Sequence, residues 1–336
     1  MWYKSNGKDG DIVISSRIRL ARNLKEFRFC GKMTADEANA IIEKTKNALD
    51  GRKFKFINLS NMDKTDKLLM LEQHLISREL AESRLPSGVF TDKDNEISVM
   101  VNEEDHIRMQ CITGGYDLDG AYEKLNALDT SLEEKLDFAF DENYGYLTKC
   151  PTNTGTGMRA SVMLHLPGLT ITGNINNVIA AVNKLGIAVR GLYGEGSKSA
   201  ACIYQVSNQV TLGITEEETL ENLKNVVDML IEKERQVTKA LYDNNPLQFK
   251  DKVGRAYATL AGAYIMTNDE FMKLIPYVRM GVNMGIIDGV DSAAINSLII
   301  ELSPAHVSKL MGASNAAQRD EKRASKLREV LGKEEK

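Results

Sequence analysis

Cysteine and histidine are scarce in this chain of 336 residues, and neither is spaced to hold a metal. Cys30, Cys111, Cys150 and Cys202 form no CxxC pair, which argues against a zinc ribbon or a thioredoxin-like dithiol. Scattered thiols suit a reducing cytosol better than a disulfide scaffold, so a cytoplasmic location is expected. His74, His106, His165 and His306 are not spaced as a zinc pair, so no histidine-rich metal centre is expected. No apolar run is long enough to span a bilayer, and no secretory leader opens the chain. Positive charge is not in excess either. The 43 Lys and Arg face 47 Asp and Glu, for a net charge of −4. General nucleic-acid binding would call for a basic chain. A Walker A sequence and the protein-kinase HRD and DFG triplets are all missing, which excludes a P-loop or protein-kinase grip on nucleotide.

What is present describes a globular chain. It is 43% hydrophobic and 27% charged, a composition that can fold around one large core or two ordinary ones. Residues 11–14 form a β-branched strand signal that runs into Ser15-Ser-Arg-Ile-Arg19. Alternation places Arg17 and Arg19 on one strand face. They repel each other there unless an anion lies between them. Thr34-Ala-Asp-Glu37 is a capping box. It predicts a helix of about fifteen residues with Ala38, Ile41, Ile42 and Ala48 inward. A strand over 54–58 and a helical stretch over 63–82, carrying His74, follow. The strand 96–101 ends in Asn102-Glu-Glu-Asp-His-Ile-Arg108. Taken alone, these acids are either a solvated turn or a carboxylate site for a cation.

Helices are predicted near 119–128 and 131–137, a strand over 159–165, a helix over 173–184 and a strand over 186–190. A hairpin is predicted from 203–206 and 210–213 around Ser207-Asn-Gln. No strand pattern follows 213. Capping boxes begin at Thr215 and Thr267, Asn244-Asn245-Pro246 breaks a long helix, and Pro304 suits a first helical turn. The reading is α+β, with a mixed domain over 1–213 and an all-helical domain over 215–336.

The centre of the chain is Cys150-Pro-Thr-Asn-Thr-Gly-Thr-Gly-Met-Arg-Ala-Ser161. Gly155 and Gly157 allow close backbone approach. The hydroxyls of Thr152, Thr154 and Thr156 and the Asn153 amide can fix a loop through local bonds. A cation such as Arg159 near Cys150 can favour its thiolate. Arg17, Arg19, Arg108, Arg159 and Arg190 all fall at or beside loop–strand junctions. Forked guanidinium groups suit phosphate.

Four segments, Ser15–Arg19, Asn102–Arg108, Cys150–Ser161 and Arg190–Gly196, resemble the guanidino phosphotransferase family in order and content. The resemblance extends over about residues 11–220. It implies an antiparallel sheet flanked by helices and transfer of the ATP γ-phosphoryl group to a guanidine, with Mg²⁺. It also implies that the five arginines bind phosphate and that His74 lies near the base. The nucleotide-binding segments would include Ser15, Ser16, Ile18, Ala160, Ser161, Val162 and Met163, and Gly191, Leu192, Tyr193, Gly194 and Glu195. Glu104 and Glu195 correspond to the carboxylates that hold the guanidinium, and Cys150 to the reactive thiol.

The Ser-Ser-Arg-x-Arg strand lies within the first twenty residues, and the helical part follows the core. This arrangement resembles the branch of the family that phosphorylates arginine in proteins. Kinases of small guanidines instead carry a helical domain before that strand. A further motif, Arg319-Asp320-Glu321-Lys322-Arg323-Ala324, resembles that branch's phosphoarginine pocket. Arg319 and Arg323 are four apart and share a helix face. The resemblance implies protein substrates with exposed arginine, homo-oligomers, an activator of the McsA kind, a CtsR-type repressor and the ClpC protease system. A kinase of a free guanidine and a phosphoarginine-binding adaptor are the alternatives.

Overall fold

The β-branched run that begins at residue 11 becomes the middle of a sheet. The computed structural model describes residues 1–192 and 199–332. In chain order the strands are β1 (Val13–Arg22), β2 (Lys55–Asn58), β3 (Gly88–Thr91), β4 (Ile97–Val101), β5 (Ile107–Gly114), β6 (Phe140–Asp141), β7 (Gly145–Tyr146), β8 (Met158–His165), β9 (Ile187–Gly191) and β10 (Ile203–Asn208). The helices are α1 (Ala35–Ala48), α2 (Lys64–Glu72), α3 (Arg78–Ala81), α4 (Leu118–Glu133), α5 (Pro167–Ile171) and α6 (Ile175–Asn183), then α7 (Glu216–Asn244), α8 (Pro246–Gly262), α9 (Asn268–Asn283), α10 (Ser292–Glu301), α11 (Pro304–Leu310) and α12 (Ala316–Leu331). Eight strands form one antiparallel sheet in the order β2-β3-β4-β5-β1-β8-β10-β9, and β6 pairs with β7. The expected fold is borne out: an antiparallel sheet flanked by helices, then an all-helical part.

Alternation gives the sheet two different faces. On one face Ile18, Leu20, Met109, Cys111, Ala160, Val162 and Val206 pack against Ile41, Leu125, Val178 and Leu223 of α1, α4, α6 and α7. Ile18 and Leu20 are fully buried, and each stabilises the fold by roughly 2 kcal/mol. The other face is itself divided. Ile112, Met163 and Ile203 sit in a second core with Phe271, Ile275 and Leu298 of α9 and α10, and with Trp2 of the N-terminal turn. The arginines occupy the remaining end. The helix α7 packs with the sheet core through Leu220, Val227 and Leu230.

Both boxed helices begin where expected, at Thr34 and Thr215, with reciprocal side-chain bonds. At Thr267 the threonine accepts the Glu270 N–H. Three elements differ from the sequence reading. The stretch 63–82 is two helices, broken at His74, whose φ is 60°. The pair near 119–128 and 131–137 is the single helix α4, which has no Gly or Pro after Gly120 to interrupt it. No hairpin forms after Asn208, because β10 is already paired on both edges, by β8 and β9. Thr211 instead donates its hydroxyl to the Thr152 and Thr154 carbonyls, at 3.0 and 2.7 Å.

Candidate active site

Strand register brings the arginines together. Arg19 lies directly opposite Arg159 on β8 and opposite Gln110 on β5. Arg17 lies opposite Ser161 and Ile112, and Ala21 opposite Arg108. Across β10, Gln205 faces Arg190 and Ser207 faces Ser161. Opposed residues share a sheet face. All five arginines therefore project from one face of neighbouring strands.

The partners of these arginines are mostly neutral. Arg17 donates to Gln205 Oε1 at 3.2 Å and Ser161 Oγ at 3.4 Å. Arg159 donates to Ser207 Oγ at 3.0 Å. The Nε atoms of Arg19 and Arg159 are buried without a partner. Burial, reinforced by Arg159 and Arg108, lowers the Arg17 guanidinium to about 10. Burial and then Arg17, Arg108 and Arg159 push Arg19 well below its ordinary range. Arg159 is lowered by burial, then by Arg190 and Arg108. Arg190 is exposed at the end of β9.

Arg108 is the exception. Burial alone would lower it, but Glu103, Asp105 and Glu104 outweigh burial and raise it. It contacts Glu103 at 2.6 Å, Glu104 at 2.9 Å and Asp105 at 3.6 Å. The acid run is therefore not a solvated turn. Glu103 is 7% exposed, and Asp105 and His106 are fully buried. Bound groups converge on it from several segments. Ser77 Oγ donates to Glu103 at 2.5 Å. Asn23 Nδ2 and the Lys149 N–H both donate to Asp105 Oδ1 at 2.8 Å. Glu104 is the most open of the three, its side chain 32% exposed.

Asp105 thereby ties the acid turn to the residue before Cys150. The thiol loop opens with a 3₁₀ turn over Pro151–Asn153, and Cys150 Sγ lies 3.0 Å from Thr152 Oγ. Gly155 and Gly157 have φ of 116° and 64°, the left-handed region that glycine tolerates. A Cβ on Gly157 would meet Arg22 Nη1 at 2.6 Å. Arg22 donates to the Thr156 carbonyl at 3.0 Å, pairs with Asp129 at 2.6 Å and stacks 3.5 Å from the Tyr146 ring centre.

His74 stands on the flank of the cluster. Its Nε2 is buried without a partner, and burial with the nearby Arg17 lowers it to about 3. The ring is therefore neutral at physiological pH. Ser15 and Ser16 are buried, and Ser16 Oγ donates to the Gly115 carbonyl at 3.0 Å. Ile18, Ala160 and Val162 send their side chains into the helix-covered core, and Met163 into the second core. Gly191 ends β9 and Leu192 follows it. Tyr193, Gly194 and Glu195 lie outside the described residues.

The motif at 319–324 sits in α12, far along the chain from the sheet. Arg319 and Asp320 are half-buried, Glu321 is exposed, and Ala324 belongs to the second core. Lys322 donates to the Met311 carbonyl. Arg323 is 1% exposed and donates to the Leu302 and Met266 carbonyls and to Asp320, at 3.0, 2.8 and 2.7 Å. Gln205, Ser207 and Gln110 complete the arginine face and escaped the sequence reading, whereas Glu103 and Asp105 were read only as members of the acid run. For the strand residues, the alternation of β5 and β10 was the signal available.

The profile of the ATP:guanido phosphotransferase C-terminal catalytic domain matches residues 37–237. That of the protein-arginine kinase McsB C-terminal domain matches 246–336. The protein-arginine kinase of Bacillus subtilis is 42% identical over 337 residues, covering 98% of this chain and 93% of the relative. That of Clostridium tetani is 42% identical over 332 residues, covering 98% and 97%. Among solved structures, the duplicated taurocyamine kinase of Schistosoma mansoni superposes with a TM-score of 0.61 at 29% identity, over 69% of this chain and 35% of that one. Similarity of this extent along nearly the whole chain agrees with what the sheet face displays, and the chain belongs to the ATP:guanido phosphotransferase family, among the protein-arginine kinases.

Proposed function

We propose that this chain transfers the γ-phosphoryl group of ATP to arginine side chains of proteins. One observation carries the reading: a half-buried cluster of guanidinium groups, largely without carboxylate partners, beside a turn of three acids. Such a cluster is unfavourable when empty and favourable around a polyphosphate. Arg17, Arg19, Arg108, Arg159 and Arg190 would hold the phosphates, and His74 would meet the base. Among the described residues no group of three or more His, Cys, Asp or Glu side chains is arranged to hold a metal ion, and the acids of the turn are engaged with Arg108. This donor set suits Mg²⁺ carried on phosphate oxygens and water. The ion would neutralise phosphate charge.

The transition state of phosphoryl transfer is loose, so the protein's work is positioning and charge stabilisation. Glu104, with Glu195, would align the incoming guanidinium. A free guanidinium has a pKa above about 12 and is a poor nucleophile. As the N–P bond forms and the bond to the ADP oxygen breaks, a guanidinium proton passes to one of these carboxylates. Cys150 would add a nearby negative charge when ionised. In α12, Arg319 and Asp320 would contact phosphoarginine while Arg323 braces Asp320. A cytoplasmic, homo-oligomeric enzyme acting with a McsA-like activator, a CtsR-type repressor and the ClpC protease system completes the proposal.

The test is incubation of a mixed protein substrate with ATP and Mg²⁺, followed by mass spectrometry without acid. Phosphorylated arginine in protein is expected. Phosphorylation of free arginine alone would favour a small-guanidine kinase. Phosphoarginine binding without ATP turnover would favour an adaptor.

A further inference from the structure

His74 adopts a conformation its side chain does not favour. Its φ of 60° lies in the left-handed region, which costs a non-glycine residue energy and persists where neighbours impose it. Three neighbours impose it here. The His74 N–H bonds to the Leu71 carbonyl at 3.0 Å. Gln110, on the arginine face, donates to the His74 carbonyl at 2.6 Å. The indole of Trp2 packs edge-on against the imidazole, with ring centres 5.5 Å apart at 66°, and its Nε1–H donates to the Gln73 carbonyl at 3.4 Å.

Trp2 is 3% exposed, so its first role is that of a core residue. Its surroundings give it a second. The N-terminal turn Trp2–Lys4 is wedged between the sheet and α10. Gly114 of β5 has no side chain there, and a Cβ would come within 2.5 Å of the Trp2 carbonyl. Ser297 donates to the Tyr3 carbonyl at 3.3 Å, and Lys4 pairs with Glu301 at 3.0 Å. The turn is thus fixed from both sides and presses on the one histidine that flanks the arginine cluster with an unpartnered buried nitrogen.

We propose that Trp2 is a positioning residue for nucleotide binding: packed against His74, it holds the imidazole where Nε2 can meet the base of ATP. The proposal rests on the nucleotide reading given above. Without the indole, the strained turn at 73–75 relaxes to other conformations and His74 must be reordered on binding. An edge-on aromatic contact of this kind carries enough interaction energy for about a tenfold change in affinity. The phosphates and the acid turn are untouched, so the chemical step is unaffected.

The experiment is steady-state kinetics on the full chain with Trp2→Ala and Trp2→Phe. Trp2→Ala raises the KM for ATP about tenfold, leaves kcat within twofold and leaves the KM for protein substrate unchanged. Trp2→Phe, which keeps the ring contact, recovers most of the loss. A purely structural role would instead lower the melting temperature and leave the KM for ATP as it was, and that result overturns the proposal. If Trp2→Ala does not fold, the wild type decides. Trp2 is the sole tryptophan, so saturating ADP shifts or quenches its fluorescence, and unchanged emission at saturation overturns the proposal. Failure of the nucleotide reading is separate, since the wild type would then bind no ADP by calorimetry.

Discussion

Replacing Arg17 by methionine makes the empty protein more stable and the nucleotide-bound protein less stable than wild type. Arg17 is lowered from its ordinary 12.5 to about 10, first by burial and then by Arg159 and Arg108. A folded-state value below the unfolded one means that the unfolded chain binds the proton more tightly. The cost is fully present below pH 10 and is relieved only as pH rises toward 12.5. At about 1.4 kcal/mol per pH unit the upper bound is about 3.5 kcal/mol, and solvent screening reduces it to roughly 2. Methionine also gives up the bonds to Gln205 and Ser161, together worth about 1 kcal/mol at these lengths. The empty variant therefore gains about 1 kcal/mol, or roughly 2 °C in melting temperature for a chain of this size. With ATP at a hundred times its Kd, wild type gains about 2.7 kcal/mol. The variant loses charged phosphate contacts and binds about a hundredfold more weakly. At the same concentration it gains about 0.4 kcal/mol, and the order of stability inverts. Denaturant melts at low salt, with and without ATP, measure both differences. An empty variant clearly less stable than wild type would refute the reasoning, because the arginine cluster would then not be under strain.

Four further outcomes follow. Glu104→Gln lowers the rate of arginine phosphorylation by about 10²–10⁴-fold while calorimetric ATP affinity stays within about threefold; near-normal turnover would remove Glu104 from its role. Iodoacetamide at pH 8 labels Cys150 first, because burial raises the thiols of Cys30 and Cys111 to about 12 and that of Cys202 to about 11; peptide mapping reads the order, and ADP slows the labelling. Arg319→Ala weakens phosphoarginine binding at least tenfold in titration and leaves the fold intact. Arg323→Ala instead destabilises the helical part by about 3–5 kcal/mol, since Arg323 is a buried charge tied to two carbonyls and to Asp320.

The legible parts of the sequence were the local ones. Thr34 and Thr215 announced their helices because a capping box is complete within four residues. The placement of Arg17 and Arg19 on one face followed from alternation, and so did the inward set of α1. What stayed hidden depends on partners distant in sequence. Asp105 is bound by Asn23 and by the Lys149 N–H, 82 and 44 residues away. The acid run could be buried only once those groups and Arg108 had converged on it, so its own residues left the choice open. The hairpin after Asn208 failed for a similar reason. Turn residues and alternating apolar residues were present, but the edge of β10 that a following strand needed was taken by β9. The break at His74 had no glycine or proline to signal it. It is imposed from outside, by Gln110 and Trp2.

The divided face of the sheet leaves its arginine end outside the apolar cover. The helices α8–α12 bury Ile112, Met163 and Ile203 and leave the arginine end uncovered. Covering that end with apolar side chains would take Arg17, Arg19 and Arg159 wholly out of water without supplying charge, at several kcal/mol for each ion. The buried Arg279 of α9 shows what burial demands. It is fully enclosed and donates to the Gly10 and Asp11 carbonyls at 2.8 and 2.7 Å and to Asn296 at 3.1 Å. Arg19 and Arg159 keep an Nε with no such acceptor. The charge and acceptors they lack have to come from solvent, and on the proposed reading a bound triphosphate would supply both.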